Sequence, residues 1–243
     1  MSDAVNFKKF IKNIEQVEMV IRVDPLTLAY MAVPKAACSS VKAALASVDP
    51  AVDIWDAAAF GQKEVHGIYP TQRFRMHRWA RAQGYFRFTV VRDPVKRLLA
   101  VYTNRVQGLN ELHNCRNIRQ ERVALPADPD ADFFFQNLSS YTSASSVIKH
   151  HALPQLVFTG HDLSRYSKVY RTSDLPHLGA DLSAHIGQQV DIPHFNSSQA
   201  PLTLSDLAPE THRVLRAHLA DEYEHLGALF SNPFERKSFA VAA

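Results

Sequence analysis

Residues 30–45 read YMAVPKAACSSVKAAL. An apolar run from Tyr30 to Val33 stops at Pro34. Lys35 follows, then Ala36, Ala37, Cys38, Ser39 and Ser40, after which Val41, Ala44, Leu45 and Val48 recur at helical spacing. The pattern predicts a strand that turns through a tight loop into a helix over 39–48. Such a helix start presents unpaired N–H groups and the positive end of a dipole, and phosphate or sulfate binds there readily. Lys35 adds a formal charge, and Ser39 and Ser40 add hydroxyls near the first turn. The loop has no glycine and its lysine comes early, so the G-x-x-x-x-G-K-[ST] signature is absent and hydrolysis of ATP or GTP with magnesium is disfavoured. An ordinary strand-to-helix turn with an exposed lysine is the other reading of this stretch alone. A thiol at a helix start beside a lysine can act as a nucleophile. A phosphatase-type loop, however, needs an arginine several residues after its cysteine, and this chain continues Ser39-Ser40-Val41-Lys42-Ala43-Ala44. Cys38 is therefore read as a small packed residue.

The flanking sequence supports the same architecture. VEMVIRV and TLAYMAV are strand-like runs around the turn signal Asp24-Pro25, and residues 3–16 have the spacing of a short amphipathic helix. YFRFTVV (85–91) is a strong strand. It delivers Arg92 to a helix in which Asp93 suits the N-cap and Pro94 the first helical position. QLVFTG (155–160) and KVYRTSDL (168–175) read as further strands, DFFFQNLSSY as helix, and residues 205–230 as a long C-terminal helix. Residues 71–83 place Arg73, His77 and Arg81 on one face of a predicted helix. Strands alternating with helices predict an α/β fold, a single P-loop-like domain over 1–243 with residues 1–26 as an N-terminal helix-and-strand extension. Its central sheet is mainly parallel and flanked by helices, with ligands held beyond the strand C-termini.

The totals bound the function class. The 243 residues are 46% hydrophobic, enough for one substantial core. A net charge of +3 fits an anionic ligand without requiring nucleic acid. Two cysteines, Cys38 and Cys115, make no disulfide framework and read as free thiols in a reducing compartment. With no signal-peptide core and no run of about 20 apolar residues, the expectation is a cytoplasmic protein without a transmembrane segment. Peripheral membrane contact stays open, and the oligomeric state is not readable.

Arg92 repeats the logic of the first loop, since an arginine at a helix start can grip a phosphate with two N–H groups. Arg97 lies one turn further on. Pairing with a nearby carboxylate is the structural alternative for either. Two strand-to-helix anion sites point to a ligand with phosphates at two places, such as a 3′,5′-bisphosphorylated nucleotide. His66, in EVHGIYP between the two motifs, is the histidine best placed to deprotonate a hydroxyl near neutral pH. No cluster with metal-ligand spacing stands out, and His150-His151 reads as a surface pair.

Together these residues resemble the sulfotransferases that use 3′-phosphoadenosine 5′-phosphosulfate (PAPS). The branch is the carbohydrate group (sulfotransferase family 2) with its heparan 2-O-, chondroitin and dermatan enzymes and their bacterial relatives. VPKAACSS resembles the family's 5′-phosphosulfate loop, P-K-x-A-C-T-S, and VVRDPVKRLLAVY its 3′-phosphate motif, R-D-P-x-x-R-L-x-S-x-Y. VHG stands where the family often carries its base, YRTSDL resembles an E-D-L element, and HFNSS with the helix after it resembles the C-terminal portion. The likeness runs from about residue 28 to 230. It implies a PAPS donor leaving as PAP, bound by Lys35, Ala36, Ala37, Cys38, Ser39, Ser40, Arg92 and Arg97, with Ser197 and Ser198 assisting. It also implies catalysis by Lys35 and His66, no metal, and a hydroxyl-bearing acceptor, expected to be a carbohydrate. Arg73, His77 and Arg81 would then attract an anionic glycan; a solvated basic face is the plainer reading of them. Two positions depart from the pattern: Ala100 replaces the second motif's serine and Ser173 the usual acid of E-D-L. A non-catalytic nucleotide-binding protein of the same fold and a P-loop phosphotransferase are the alternatives.

Overall fold

The computed structural model describes residues 20–52, 62–195 and 202–235. The predicted helix over 3–16 lies outside them. Four strands form one sheet: β1 (Ile21–Val23), β2 (Leu28–Met31), β3 (Phe86–Val91) and β4 (Lys168–Arg171), in the order β1-β2-β3-β4. β1 is antiparallel to β2 through the turn at Asp24–Leu26, whereas β2, β3 and β4 are mutually parallel neighbours. The mixed α/β fold and mainly parallel sheet are as the sequence predicts.

Strand alternation assigns the two faces. Leu28 and Tyr30 of β2 and Phe88 and Val90 of β3 point to one apolar layer, which is completed by two helices: α1 (Cys38–Val48) through Val41, Ala44 and Leu45, and α10 (Leu175–Ile186) through Leu178 and Leu182. Tyr30 stacks on Phe88 at 5.0 Å, and Phe88 meets Tyr170 of β4 edge-on, so one aromatic row crosses three strands. Ala29 and Met31 face the other way, onto Trp79 and Tyr166. The buried Thr89 hydroxyl on that face donates to the Met31 carbonyl at 2.8 Å.

Chain contacts divide the protein into two compact units, Met1–Val91 with Val157–Ser197, and Arg92–Leu156 with Ser198–Ala243. The first holds the sheet, α1, α2 (Gln62–Ile68), the short α3 (Met76–Trp79) and α10. The second is helical. α4 (Pro94–Val101) runs into a π-helical stretch, Tyr102–Gly108, followed by α5 (Arg116–Arg119), α6 (Ala131–Gln136), α7 (Leu138–Ala144), α8 (Ser146–Ala152) and α11 (Pro209–Leu226). Its core sets Leu215, Leu219 and Tyr223, one stripe of α11, against Leu98, Tyr102, Phe134 and Phe135. Burying each such leucine contributes about 1.5–3 kcal/mol.

Two predicted elements differ. QLVFTG is not a strand: Leu156–Thr159 forms one helical turn, α9, closed by Gly160 at φ +77°. A short apolar run does not reveal its own period. Here the left-handed glycine ends a helix, and a Cβ at that position would lie 2.8 Å from the Phe74 ring. Residues 71–83 are not one helix either. The chain after Pro70 is irregular, Phe74 N–H donates to the Val157 carbonyl at 2.9 Å, and Arg75 is extended, so helix begins only at Met76. Arg73 therefore does not share a helical face with His77 and Arg81.

Candidate active site

The loop between β2 and α1 turns through two left-handed residues without glycine. Lys35 and Ala37 both adopt positive φ, 65° and 57°, a region that costs a non-glycine residue about 1–2 kcal/mol. Ala36 between them is fully buried, and its N–H donates to the Val33 carbonyl. The helical ladder of α1 begins with Val41 N–H to Ala37 O at 3.1 Å, and no side chain caps the helix. The amides of Cys38, Ser39 and Ser40 thus have no intrahelical acceptor. Cys38 is buried in the apolar layer over the sheet, the packed residue anticipated for it. Ser40 is also buried, and its hydroxyl accepts the Phe195 N–H at 3.3 Å, tying the 190–195 segment to α1. Ser39 is the half-exposed hydroxyl of the pair.

His66 lies on α2 and is brought to this helix start. Its Nε2 is 2.9 Å from Ser39 Oγ, and its Nδ1 is 3.0 Å from Lys42 Nζ. Lys42 also donates to Thr71 Oγ1 at 2.6 Å. Ser39 and Lys42 are three apart on α1, hence on one face, and the imidazole bridges them. The Lys42 side chain is 0% exposed, and burial pushes its pKa down to about 8, with Cys38 opposing the shift. The sequence reading missed Lys42 and Thr71. A signal was present: Lys42 is the only charged residue in Cys38–Val48 and sits between apolar positions that face the core.

Arg92 is held in the second unit. Gln155 brackets its backbone: Arg92 N–H donates to Gln155 Oε1 at 3.0 Å, and Gln155 Nε2 donates to the Arg92 carbonyl at 2.7 Å. Burial lowers the Arg92 pKa, with Asp93 opposing and Arg97 reinforcing the shift. Asp93 caps α4 as predicted, accepting from Lys96 N–H at 2.9 Å, and its other oxygen accepts from the Tyr223 hydroxyl at 3.0 Å. Arg97 has a different task from the predicted one. It is fully buried, its guanidinium donates to the His151 and Leu153 carbonyls, and it pairs with Glu222 at 3.3 Å. It belongs to the scaffold rather than to a ligand surface. An arginine one turn into an amphipathic helix can face either way, and here its position falls on the packed side.

Ser197 and Ser198 lie outside the described residues. Ser173, in place of the expected acid, donates to Asp174, which pairs with Arg171 at 3.0 Å, and that contact draws the Asp174 pKa down to about 2. Arg73, His77 and Arg81 are all exposed. His150 and His151 are half-buried and stack edge-on at 5.2 Å, rather than forming a surface pair. Among the described residues no group of three or more His, Cys, Asp or Glu could hold a metal ion, and no helix is long and apolar enough to cross a membrane.

A model of the sulfotransferase family matches residues 19–224, which takes in both strand-to-helix loops and His66. The chain belongs to the sulfotransferase family. No curated protein and no solved structure matches it. Membership makes it a transferase of sulfuryl groups.

Proposed function

We propose that this sulfotransferase moves the sulfuryl group of PAPS onto a hydroxyl of a carbohydrate or glycoconjugate, with His66 as the base. The observation that supports this most is the 2.9 Å contact between His66 Nε2 and Ser39 Oγ, which sets an imidazole beside the uncapped start of α1. A hydroxyl occupying the place of Ser39 Oγ would be within reach of the ring nitrogen. The donor set of the loop fits the sulfonate and phosphate end of such a nucleotide: three amides without intrahelical acceptors and a lysine at the loop start. PAPS would supply the sulfuryl group and leave as PAP. Lys35 offsets the negative charge that builds on the departing phosphate, the Cys38–Ser40 amides hold the non-bridging oxygens, and His66 takes the acceptor proton. Arg92, its backbone fixed by Gln155, would take the 3′-phosphate, and no protein-bound metal enters these steps. The exposed Arg73, His77 and Arg81 would draw an anionic acceptor towards the protein.

Radiolabelled PAPS offered with a panel of uronate-bearing and neutral glycans tests the reaction. Label should pass to a glycan hydroxyl in the wild type. It should fall by orders of magnitude in folded Lys35→Ala and His66→Ala. Near-normal turnover by His66→Ala would remove the base assignment. Calorimetry that finds ATP bound in preference to PAP would overturn the donor.

A further inference from the structure

His66 has both ring nitrogens engaged, Nε2 with Ser39 Oγ at 2.9 Å and Nδ1 with Lys42 Nζ at 3.0 Å. A neutral imidazole carries one N–H and one lone pair, so the two contacts are not independent. An ammonium at Lys42 can only donate. Nδ1 must then accept, the ring proton sits on Nε2, and Nε2 has no lone pair for an incoming proton. An amine at Lys42 reverses this. Its lone pair accepts Nδ1–H, one of its own N–H groups still donates to Thr71 Oγ1 at 2.6 Å, and Nε2 is left as an acceptor facing Ser39.

We infer that Lys42 is a positioning residue that sets the tautomer of His66. Loss of one proton from Lys42 to solvent moves the ring proton from Nε2 to Nδ1 and opens Nε2 as the proton acceptor. The consequence for turnover rests on His66 being the base; the tautomer switch itself does not.

The surroundings suit such a switch. Lys42 is fully buried, and among the described residues the groups that face it are His66 from α2, Thr71 from the segment after α2, and Cys38 one turn earlier on its own helix. Among the described residues no carboxylate pairs with it. An unpaired buried ammonium is costly, so burial brings the proton loss near pH 8, within the working range of an enzyme. Thr71 gives the amine an acceptor in either protonation state, which keeps Lys42 Nζ in place while its charge changes.

The direct readout is long-range 15N–1H NMR of the protein labelled at histidine, with the His66 signals assigned by their loss in His66→Gln. The wild type should show the Nε2–H form near pH 7 and the Nδ1–H form near pH 9.5, and Lys42→Met should show one form at both. The same wild-type tautomer at both pH values, or a switch that persists in Lys42→Met, overturns the inference. The wild-type spectra alone suffice if Lys42→Met does not fold. With labelled PAPS, turnover should rise about tenfold from pH 7 to pH 9 in the wild type and lose that rise in Lys42→Met. An observed switch together with normal turnover by His66→Gln would sink the base assignment and leave the Lys42 inference standing.

Discussion

The side-chain amide of Gln155 pairs with the backbone of Arg92 as a neighbouring strand would, accepting its N–H at 3.0 Å and donating to its carbonyl at 2.7 Å. The same Nε2 also donates to Glu222 at 2.8 Å. Gln155 is fully buried, so these groups have no water to fall back on. Gln155→Leu should leave an N–H, a carbonyl and part of Glu222 unsatisfied, at about 1–3 kcal/mol for each buried group left unpaired. Urea unfolding should show a loss of about 3 kcal/mol or more in total, and PAP affinity should drop in the folded fraction as the Arg92 backbone loosens. Unchanged stability would mean that the amide pairing is incidental.

Arg97 and Glu222 form a buried ion pair whose remaining donors meet two carbonyls. Breaking such a pair from one side leaves a charge without compensation, at about 3–5 kcal/mol. Arg97→Met should show that loss. Arg97→Met with Glu222→Gln should recover much of it, because the neutral glutamine still accepts from Gln155. A double-mutant cycle measures the coupling. PAP affinity should survive in the folded double variant; a collapse there would return Arg97 to the ligand surface.

Ala37 holds φ 57° and Lys35 φ 65° without glycine at either place. Ala37→Gly removes about 1 kcal/mol of left-handed cost but adds a similar amount of unfolded-chain entropy. Its stability should stay within about 0.5 kcal/mol of wild type. Ala37→Val, with a branched Cβ in that region, should lose about 2 kcal/mol or more. Lys35→Ala should unfold near the wild-type midpoint while turnover falls by orders of magnitude, which separates the charge at this position from the backbone it sits on. Equal turnover in Lys35→Ala and wild type would take the lysine out of the chemistry.

The elements that were legible in sequence are those whose signals are local. YFRFTVV alternates and is β-branched, Asp93-Pro94 states a helix start by its chemistry, and VPKAACSS marks a strand-to-helix loop through its break at Pro34. QLVFTG has no period to read; the chain coils there into one turn closed by left-handed Gly160, where a Cβ would meet the Phe74 ring. Arg97 and Lys42 are the instructive pair. Both are cations on amphipathic helices: the sequence suggests a ligand for one and marks the other only as a lone charge among apolar positions. Their partners, Glu222 at a separation of 125 residues and His66 at 24, are set by tertiary contacts that helical spacing does not encode.

Arg73 and Arg81 are both exposed but occupy different local structures, an irregular stretch and a single 3-10 turn. They can act together only as a diffuse positive field. Arg73→Gln with Arg81→Gln should raise the KM of an anionic acceptor several-fold, more at low salt than at 0.5 M, where the Debye length is only about 4 Å. PAP affinity and the unfolding midpoint should not change. A KM that ignores both the substitutions and the salt would make this segment an ordinary solvated surface.

The buried Lys42 should also be visible in stability. Its pKa falls from an ordinary 10.5 in the unfolded chain to about 8 in the folded protein, chiefly by burial. Below pH 8 both states carry the proton, and the folded state bears the full cost of the buried charge. Between pH 8 and 10.5 the unfolded chain binds a proton that the folded one does not, so wild-type stability rises with pH across that window. At 1.36 kcal/mol for each pKa unit, the recovery approaches about 3 kcal/mol. Lys42→Met lacks this titration and shares every other one, including the Tyr69 hydroxyl that burial and Asp49 hold well above its ordinary range. The stability difference between wild type and Lys42→Met should therefore shift by about 2 kcal/mol in favour of wild type from pH 7 to pH 10, read from denaturant midpoints at each pH. A difference that stays constant would show that Lys42 keeps its proton throughout, and His66 Nδ1 would then face an ammonium at every pH of interest.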